Sequence, residues 1–448
     1  MVTKLDEHVH LRLIKNKKFL ELALVLMVFL VTNIASQVFQ LHITLNNGQS
    51  FDGVFYYRVA HQFSKGLKAS SEAPFVYRIG TPFLVALFFK NNLLFGFKAV
   101  NIIANLITVL LFTVWLRLHL DDWRIRTLLA TLFITQWHGP VRFTYYDPTY
   151  TDPWLFVFLL IGLITIQYIK LKPGILILVW LGLVTFIGVL FREIVMILPI
   201  ALAFITNPIP RWDDIFCSFT WRKIVKLIKR PYYPFIFPFL LGIAGLFVVR
   251  QFASQFNDYS FTKSALDWAY DKPVLTYLHA FFVTFGPLIV LPIFFWRRSF
   301  QFLWEHQDML IFLLGMMLVG WIGGSDTERF LYWAMPVVYV LIGLHIQENR
   351  SLLNSPPLIL VLVVSTVCSQ RLFWTVADFP NQFKTPFPIF SILSNRFQYL
   401  DLWSFFAERT VQLISLLEYL LLSGVLILWI KLRLYDTSLS KRNRSDEF

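Results

Sequence analysis

Runs of apolar residues close to the length of a membrane span recur along the whole chain, and they constrain the fold more than any other feature. A helix needs roughly 20 mainly apolar residues to cross the hydrocarbon core of a bilayer. Twelve apolar runs occur in the 448 residues, several of them shorter than this. We therefore predict an all-α, polytopic membrane protein with about 12 transmembrane helices. The runs lie near residues 19–37, 97–118, 127–137, 154–170, 174–190, 194–205, 234–252, 274–296, 309–323, 330–346, 357–370 and 411–431.

The composition argues against large soluble domains. Hydrophobic residues make up 57% of the chain and charged residues 15%, whereas soluble domains average about 45–50% and 25%. No polar stretch between the apolar runs is long enough to fold alone. We predict one transmembrane domain over residues 1–435, followed by a polar, disordered cytoplasmic tail over 436–448.

The short apolar segment 79–90 makes the topology ambiguous, because a thirteenth span there would invert every later loop. Basic residues favour the cytoplasmic side of a membrane. If 79–90 is not a span, both termini and the basic run Arg222–Arg230 are cytoplasmic, and the net charge of +13 reflects topology rather than nucleic-acid binding. The predicted outer-face loops are then 38–78, 138–153, 251–273 and 371–409.

The two cysteines predict no disulfide. In this topology Cys217 lies in a cytoplasmic loop and Cys368 in an apolar span, so they should not pair. The first apolar run lacks a small-residue cleavage site and is interpreted as a retained span. We expect an integral protein of a bacterial inner membrane, with the endoplasmic reticulum as the second choice.

The first predicted outer loop contains the strongest catalytic candidate. Asp52 begins a predicted amphipathic helix that also carries Tyr56, Tyr57, Arg58 and His61. A carboxylate beside aromatic residues at a membrane–water boundary suits a general base that acts on a substrate hydroxyl. Aspartate is also a favoured helix N-cap. Both interpretations of Asp52 stay open on the sequence alone.

The second predicted outer loop contains two further acids. Asp147 and Asp152 flank a proline-containing turn rich in tyrosine. They could orient an acceptor or hold a divalent cation such as Mg or Mn, although turn chemistry explains Asp-Pro equally well. His138 precedes them, and a lone histidine is more often structural.

Three arginines lie at the boundaries of apolar runs. Ionisable residues near membrane depth are costly and tend to be functional or paired. A guanidinium there can bind a phosphate group or pair with a loop acid. The candidate phosphate-binding residues are Arg78, Arg192 and Arg329, with Tyr77, Glu193, Asp326 and Glu328 as supporting neighbours.

Several catalytic motifs are absent from the sequence. It has no Walker phosphate loop, no HExxH and no GxSxG. Cysteine and histidine never occur with the spacing of a metal site. The sequence therefore argues against nucleotide hydrolysis and against a cytosolic sugar-nucleotide site.

The segments SFDGVFYYRVA, FVYRIGTPFL, YYDPTYTDPW, FREIVMILP and SDTERFLYWAMP together resemble the GT-C superfamily of membrane glycosyltransferases. The resemblance covers roughly residues 1–350 and rests on short motifs. It implies a polyprenyl-phosphate-linked sugar donor, an active site on the outer face and a catalytic acid at Asp52. Many members have two adjacent acids here, whereas Gly53 follows Asp52. Many also carry a large soluble C-terminal domain; its absence favours a glycan or lipid-linked acceptor over a protein.

The resemblance implies an inverting transfer. Asp52 would deprotonate or orient the acceptor hydroxyl, and one or more of the three arginines would stabilise the leaving phosphate. A divalent cation is optional in this scheme. Three alternatives stay open: a transporter or flippase of lipid-linked sugars, a polysaccharide polymerase or ligase, and a membrane subunit without catalysis.

Overall fold

Helices account for most of the described chain. The computed structural model describes residues 2–206, 233–349, 356–357, 360, 404–405 and 409–445. Both cysteines, the run Arg222–Arg230, nearly all of the predicted span 357–370 and most of the predicted loop 371–409 lie outside these residues. The α-helices of five or more residues are Val2–Phe39, Gly53–Ser64, Gly80–Phe88, Leu93–His119, Trp123–Thr135, Pro140–Tyr146, Asp152–Leu171, Ile175–Phe191, Ile197–Thr206, Tyr233–Phe252, Phe261–Asp271, Val274–Phe285, Val290–Phe294, Trp296–Glu305, Gln307–Ile322, Thr327–Tyr332, Met335–Glu348 and Arg409–Ser445.

Five of the described helices are long and apolar enough to cross a membrane, as expected of an integral membrane protein. The number rises to seven if each of two bent helix pairs counts as one span. Three more apolar helices are only 10–17 residues long. The prediction of about 12 spans is therefore not confirmed. The five long spans are Lys17–Phe39, Leu93–His119, Asp152–Leu171, Pro234–Phe252 and Gln412–Arg433.

The apolar run predicted at 274–296 is not one straight span. Its helices Val274–Phe285 and Pro287–Phe294 meet at an angle of 100°. The break lies at Gly286, whose φ of +64° favours glycine, and the following Pro287 lacks a backbone N–H. The second bent pair, Trp296–Glu305 and Gln307–Ile322, meets at 114°.

The ambiguous segment 79–90 forms a separate short helix. Gly80–Phe88 has 9 residues, which is under half the length that a spanning helix needs (roughly 20 residues). It packs against helices Gly53–Ser64 and Leu93–His119. The side chain of Asn92 caps the latter by accepting a hydrogen bond from the Phe95 N–H at 3.1 Å.

Helix Asp152–Leu171 lies at the centre of the main hydrophobic core. It packs against Leu93–His119 on one side and Ile175–Phe191 on the other. Most of its residues are buried, so it is surrounded by protein rather than by lipid. Its first residue, Asp152, therefore lies at one end of the hydrophobic core.

A small parallel sheet is a departure from the all-α prediction. Ala69–Ser71 pairs with Ala253–Gln255, so the predicted outer loops 38–78 and 251–273 are joined. The Asn257 side chain strengthens this junction by accepting from the Ala73 N–H at 2.9 Å and donating to the Ala73 carbonyl at 3.2 Å. Three-residue strands leave no alternating pattern long enough to recognise in a sequence.

Two other predicted segments contain helix. The predicted loop 138–153 contains helix Pro140–Tyr146 and is almost wholly buried. Helix Arg409–Ser445 continues through 436–445, most of the tail predicted to be disordered. Extending an existing helix fixes one residue for each new hydrogen bond, so a polar sequence can continue a helix that it would not start.

Candidate functional site

Asp52 occupies the N-cap position of helix Gly53–Ser64, but its side chain forms no capping hydrogen bond. Its carboxylate faces other parts of the chain instead. On the same helix Tyr56 is buried, whereas Arg58 and His61 are exposed. Tyr57 is half-buried and packs against the apolar cluster to which the Tyr56 ring also belongs. The structure thus brings Asp52 and Tyr56 into one site and leaves their three predicted neighbours outside it.

Arg329 connects Asp52 to two other carboxylates. Its Nη2 atom lies 3.9 Å from Oδ2 of Asp52, its Nη1 atom 2.9 Å from Oδ2 of Asp326, and its Nε atom 3.5 Å from Oδ2 of Asp152. Asp326 and Arg329 lie at the start of helix Thr327–Tyr332, one turn apart. The side chain of Arg329 is 15% exposed, so this guanidinium is in ion pairs but is not completely buried.

Asp152 is the buried centre of the arrangement. It is the first residue of helix Asp152–Leu171, where a negative charge is favoured by the helix dipole. Arg192 forms an ion pair with its Oδ1 atom, and the Trp333 indole donates to its Oδ2 atom at 2.9 Å. The Arg192 guanidinium also lies 4.6 Å from the Trp333 ring centroid, which adds a cation–π contact.

Arg78 closes the arrangement on the far side. It donates twice to Glu193, at 3.3 and 2.9 Å, and once to the Tyr56 hydroxyl at 2.9 Å. Glu193 directly follows Arg192, and Tyr56 lies one turn after Asp52, so the contacts return to their starting point. We call this set the polar ring; its members are Asp52, Tyr56, Arg78, Asp152, Arg192, Glu193, Asp326 and Arg329.

The polar ring contains four carboxylates and three guanidinium groups, and the pKa of Asp52 is raised in this setting. Burial raises the pKa of Asp52 to about 6, and the neighbouring charge of Asp326 acts in the same direction. Arg329 and Arg78 oppose this rise in pKa. At neutral pH Asp52 is therefore largely ionised, and it is a stronger base than an ordinary aspartate.

Asp147 lies beside the polar ring, where hydrogen bonds from neighbouring residues hold its carboxylate. It accepts hydrogen bonds from the Ser50 hydroxyl at 2.8 Å, and from the hydroxyl and N–H of Thr149 at 2.8 and 3.1 Å. Thr149 in turn donates to the Gln49 carbonyl at 3.0 Å. Asp147 therefore joins the predicted outer loops 38–78 and 138–153 next to Asp52.

The predicted cation ligands both have partners within the protein. Asp147 accepts hydrogen bonds from two hydroxyl groups and the Thr149 N–H, and Asp152 contacts an arginine and an indole. Within the residues that the structure describes, no group of three or more His, Cys, Asp or Glu side chains could hold a metal ion. Dependence on a divalent cation stays an untested prediction.

A small cleft adjoins the polar ring at Asp326 and Arg329. Glu328 lines it and is buried; its Oε1 atom accepts a hydrogen bond from the Ser404 N–H. Burial raises the pKa of Glu328 to about 7. The Arg329 guanidinium lies 5.3 Å from the ring centroid of Tyr150. The remaining lining residues are His138 and Phe143.

Sequence reasoning missed Trp333 and misplaced Tyr77. Trp333 follows Arg329 by four residues, a spacing that places two side chains on one helical face, so a signal was present. Tyr77 donates to the Gln255 side chain at 2.9 Å and lies outside the polar ring. Its neighbour in the sequence, Arg78, is the inward residue of the pair.

Comparison with known proteins adds no relative. The chain matches no protein family model, no curated protein and no solved structure. The geometry of the polar ring is therefore the main indication of what this chain does.

Proposed function

We propose that this protein is a membrane glycosyltransferase that moves a sugar from a polyprenyl-phosphate-linked donor to a glycan or lipid-linked acceptor. The observation that carries the proposal is the Asp52 carboxylate. It is 35% exposed, is not used as a helix cap, and has a pKa of about 6. A general base works best when its pKa lies near the working pH.

In the proposed reaction Asp52 removes the proton from an acceptor hydroxyl. The hydroxyl oxygen forms a bond to the anomeric carbon as the bond from that carbon to the phosphate oxygen breaks. The lipid phosphate leaves with the bonding electron pair, and the configuration at the anomeric carbon is inverted. The carboxylic acid of Asp52 then returns its proton to solvent.

The three arginines receive different roles in this proposal. Arg329 is the candidate for contact with the phosphate because it lines the cleft, reaches Asp52 and remains partly exposed. Developing phosphate charge is stabilised by a preorganised cation in a site with little water. Arg192 and Arg78 are buried in ion pairs with Asp152 and Glu193. These two are positioning residues.

Movement of a lipid-linked sugar across the membrane is the second candidate function. Transporters often contain discontinuous helices, and two bent helix pairs occur here. One member of the second pair, Trp296–Glu305, carries Arg297, Arg298 and Glu305 on exposed positions. It therefore suits the membrane surface better than a half-span, which leaves the bend at Gly286 as the favouring observation.

The proposal is tested with purified protein in liposomes that contain radiolabelled polyprenyl-phosphate sugars, with a membrane extract as the acceptor source. Asp52→Asn is expected to slow transfer by about 10²–10⁴-fold, the usual contribution of a general base. Glu72→Gln is the matched control, because Glu72 is an exposed acid in the same segment.

Three outcomes separate the candidates. Transfer by the wild type and by Glu72→Gln, but not by Asp52→Asn, supports the proposal. Equal transfer by all three proteins removes Asp52 from the chemistry. If the wild type transfers no label but moves labelled lipid between leaflets, the transporter function replaces the enzyme.

A further inference from the structure

A second polar cavity lies at the opposite end of helix Asp152–Leu171 from the polar ring. Its volume is about 440 Å³, which lies within the range of about 300–1,000 Å³ typical of ligand pockets. Gln167 and Lys170 are among the residues that line it. At 1.5 Å per residue these side chains lie roughly 22–27 Å along the helix from Asp152. This is close to the thickness of the hydrocarbon core, about 30 Å. The cavity therefore sits near the other membrane boundary.

Charges of both signs line the cavity. The Lys170 ammonium lies 2.5 Å from Oδ1 of Asp308, and the Gln167 amide donates to Oδ2 of Asp308 at 2.7 Å. Glu305 lies at the exposed edge. An ammonium group has three donors, so Lys170 retains donors for a ligand. The His119 imidazole adds a buried Nε2 atom that has no hydrogen-bond partner among the described residues.

Part of the cavity lining is apolar. Leu118 and Leu171 belong to this part and are exposed, with Leu171 at 73%. Exposed leucines at the end of a membrane span face lipid chains. The amphipathic helix Trp296–Glu305 contributes Trp304 to the lining and meets the next helix at 114°, as expected of a helix that lies along the membrane surface.

We propose that this cavity binds a phospholipid whose headgroup carries both a phosphate and an ammonium group. A purely anionic ligand would meet Asp308 and Glu305, and a purely cationic one would meet Lys170. A zwitterionic headgroup satisfies both signs, with its phosphate at Lys170 and His119 and its ammonium at Glu305. The acyl chains lie over Leu118 and Leu171. This site is independent of the proposed transfer reaction.

Native mass spectrometry of the purified full-length protein tests the proposal. The protein is offered equal amounts of phosphatidylethanolamine and phosphatidylglycerol with identical chains; only the first carries an ammonium group. We expect the wild type to retain phosphatidylethanolamine about tenfold better, because one charge-assisted hydrogen bond contributes about that factor. No glycosyl transfer is needed for this measurement.

Two neutral double variants provide a matched comparison. Lys170→Met with Asp308→Leu removes the pair inside the cavity, and we expect it to weaken the retention of both lipids, because both carry the phosphate that contacts Lys170. Arg298→Gln with Glu348→Gln removes an exposed pair, joined at 2.7 Å, outside the cavity lining, and should keep both the retention and the preference. Glu305→Gln, at an exposed position, removes the contact with the ammonium group, and we expect it to remove most of the roughly tenfold preference even if the double variant in the cavity does not fold. The proposal is overturned if the wild type shows no preference, or if Glu305→Gln leaves the preference unchanged.

Discussion

The guanidinium of Arg329 lies 3.9 Å from the carboxylate of Asp52, although the two residues belong to segments far apart in the chain. Arg329 also holds Asp326 and faces Asp152. A single cation thus contacts three acids, of which Asp152 also pairs with Arg192. Any change at Arg329 should therefore be detectable in the protonation of Asp52.

The pH dependence of transfer should follow Asp52. A general base acts in its ionised form, and burial raises the pKa of Asp52 to about 6. The transfer rate should therefore rise through pH 6 and level off above it. Arg329→Gln removes a charge that lowers the pKa of Asp52, so the midpoint should move to higher pH, whereas Arg329→Lys should keep it near the wild-type value. A midpoint that Arg329→Gln leaves in place would contradict the coupling.

Arg78→Met should destabilise the protein because Glu193 then loses both of its hydrogen bonds from Arg78. Breaking a buried ion pair costs about 3–5 kcal/mol. Glu193 keeps 38% exposure, so water screens part of the lost interaction and we expect about 2 kcal/mol. Chemical denaturation in detergent measures the effect. The double variant Arg78→Met with Glu193→Leu should lose less than the sum of the two single changes; strict additivity would show that the pair is not coupled.

Glu21 should anchor the first span. Its buried carboxylate accepts from Arg126 at 2.9 and 2.8 Å and from Arg117 at 3.2 Å. Glu21→Leu leaves Arg126 with a buried charge, and we expect a loss of about 3–5 kcal/mol in the free energy of unfolding. Glu348→Gln, which breaks an exposed pair, should cost under about 1 kcal/mol. Equal losses in the two variants would argue against this role of Glu21.

Gly53 should be required for the close contact between the first two predicted outer loops. A Cβ atom at Gly53 would collide with the side chain of Thr149. Gly53→Ala is therefore expected to shift Thr149, weaken its hydrogen bond to Asp147 and reduce transfer severalfold. Adding Thr149→Gly makes room for the new methyl group but also removes the hydroxyl that bonds Asp147, so it should relieve the collision without restoring transfer. An active Gly53→Ala variant with unchanged stability would show that the contact is dispensable.

Much of the architecture could be predicted from hydrophobicity alone, because burial in lipid demands long apolar helices. The helices at 17–39, 93–119 and 152–171 appear where the apolar runs predicted them. The bend at Gly286 was missed because the whole run 274–296 is apolar, and hydrophobicity does not distinguish a straight helix from a broken one. The sheet at 69–71 and 253–255 was missed because its strands are too short.

The sequence by itself determined which charged residues require a partner. Arg78, Arg192 and Arg329 stand beside apolar runs, and a charge near the membrane interior requires a partner. Only the tertiary structure decided the partners: Glu193, Asp152, and the three acids around Arg329. The physical reason is that Coulomb attraction depends on the distance between two charges and not on their positions in the sequence. Helix packing determines which carboxylate comes within 4 Å of which guanidinium, and it depends on side-chain contacts across the whole core.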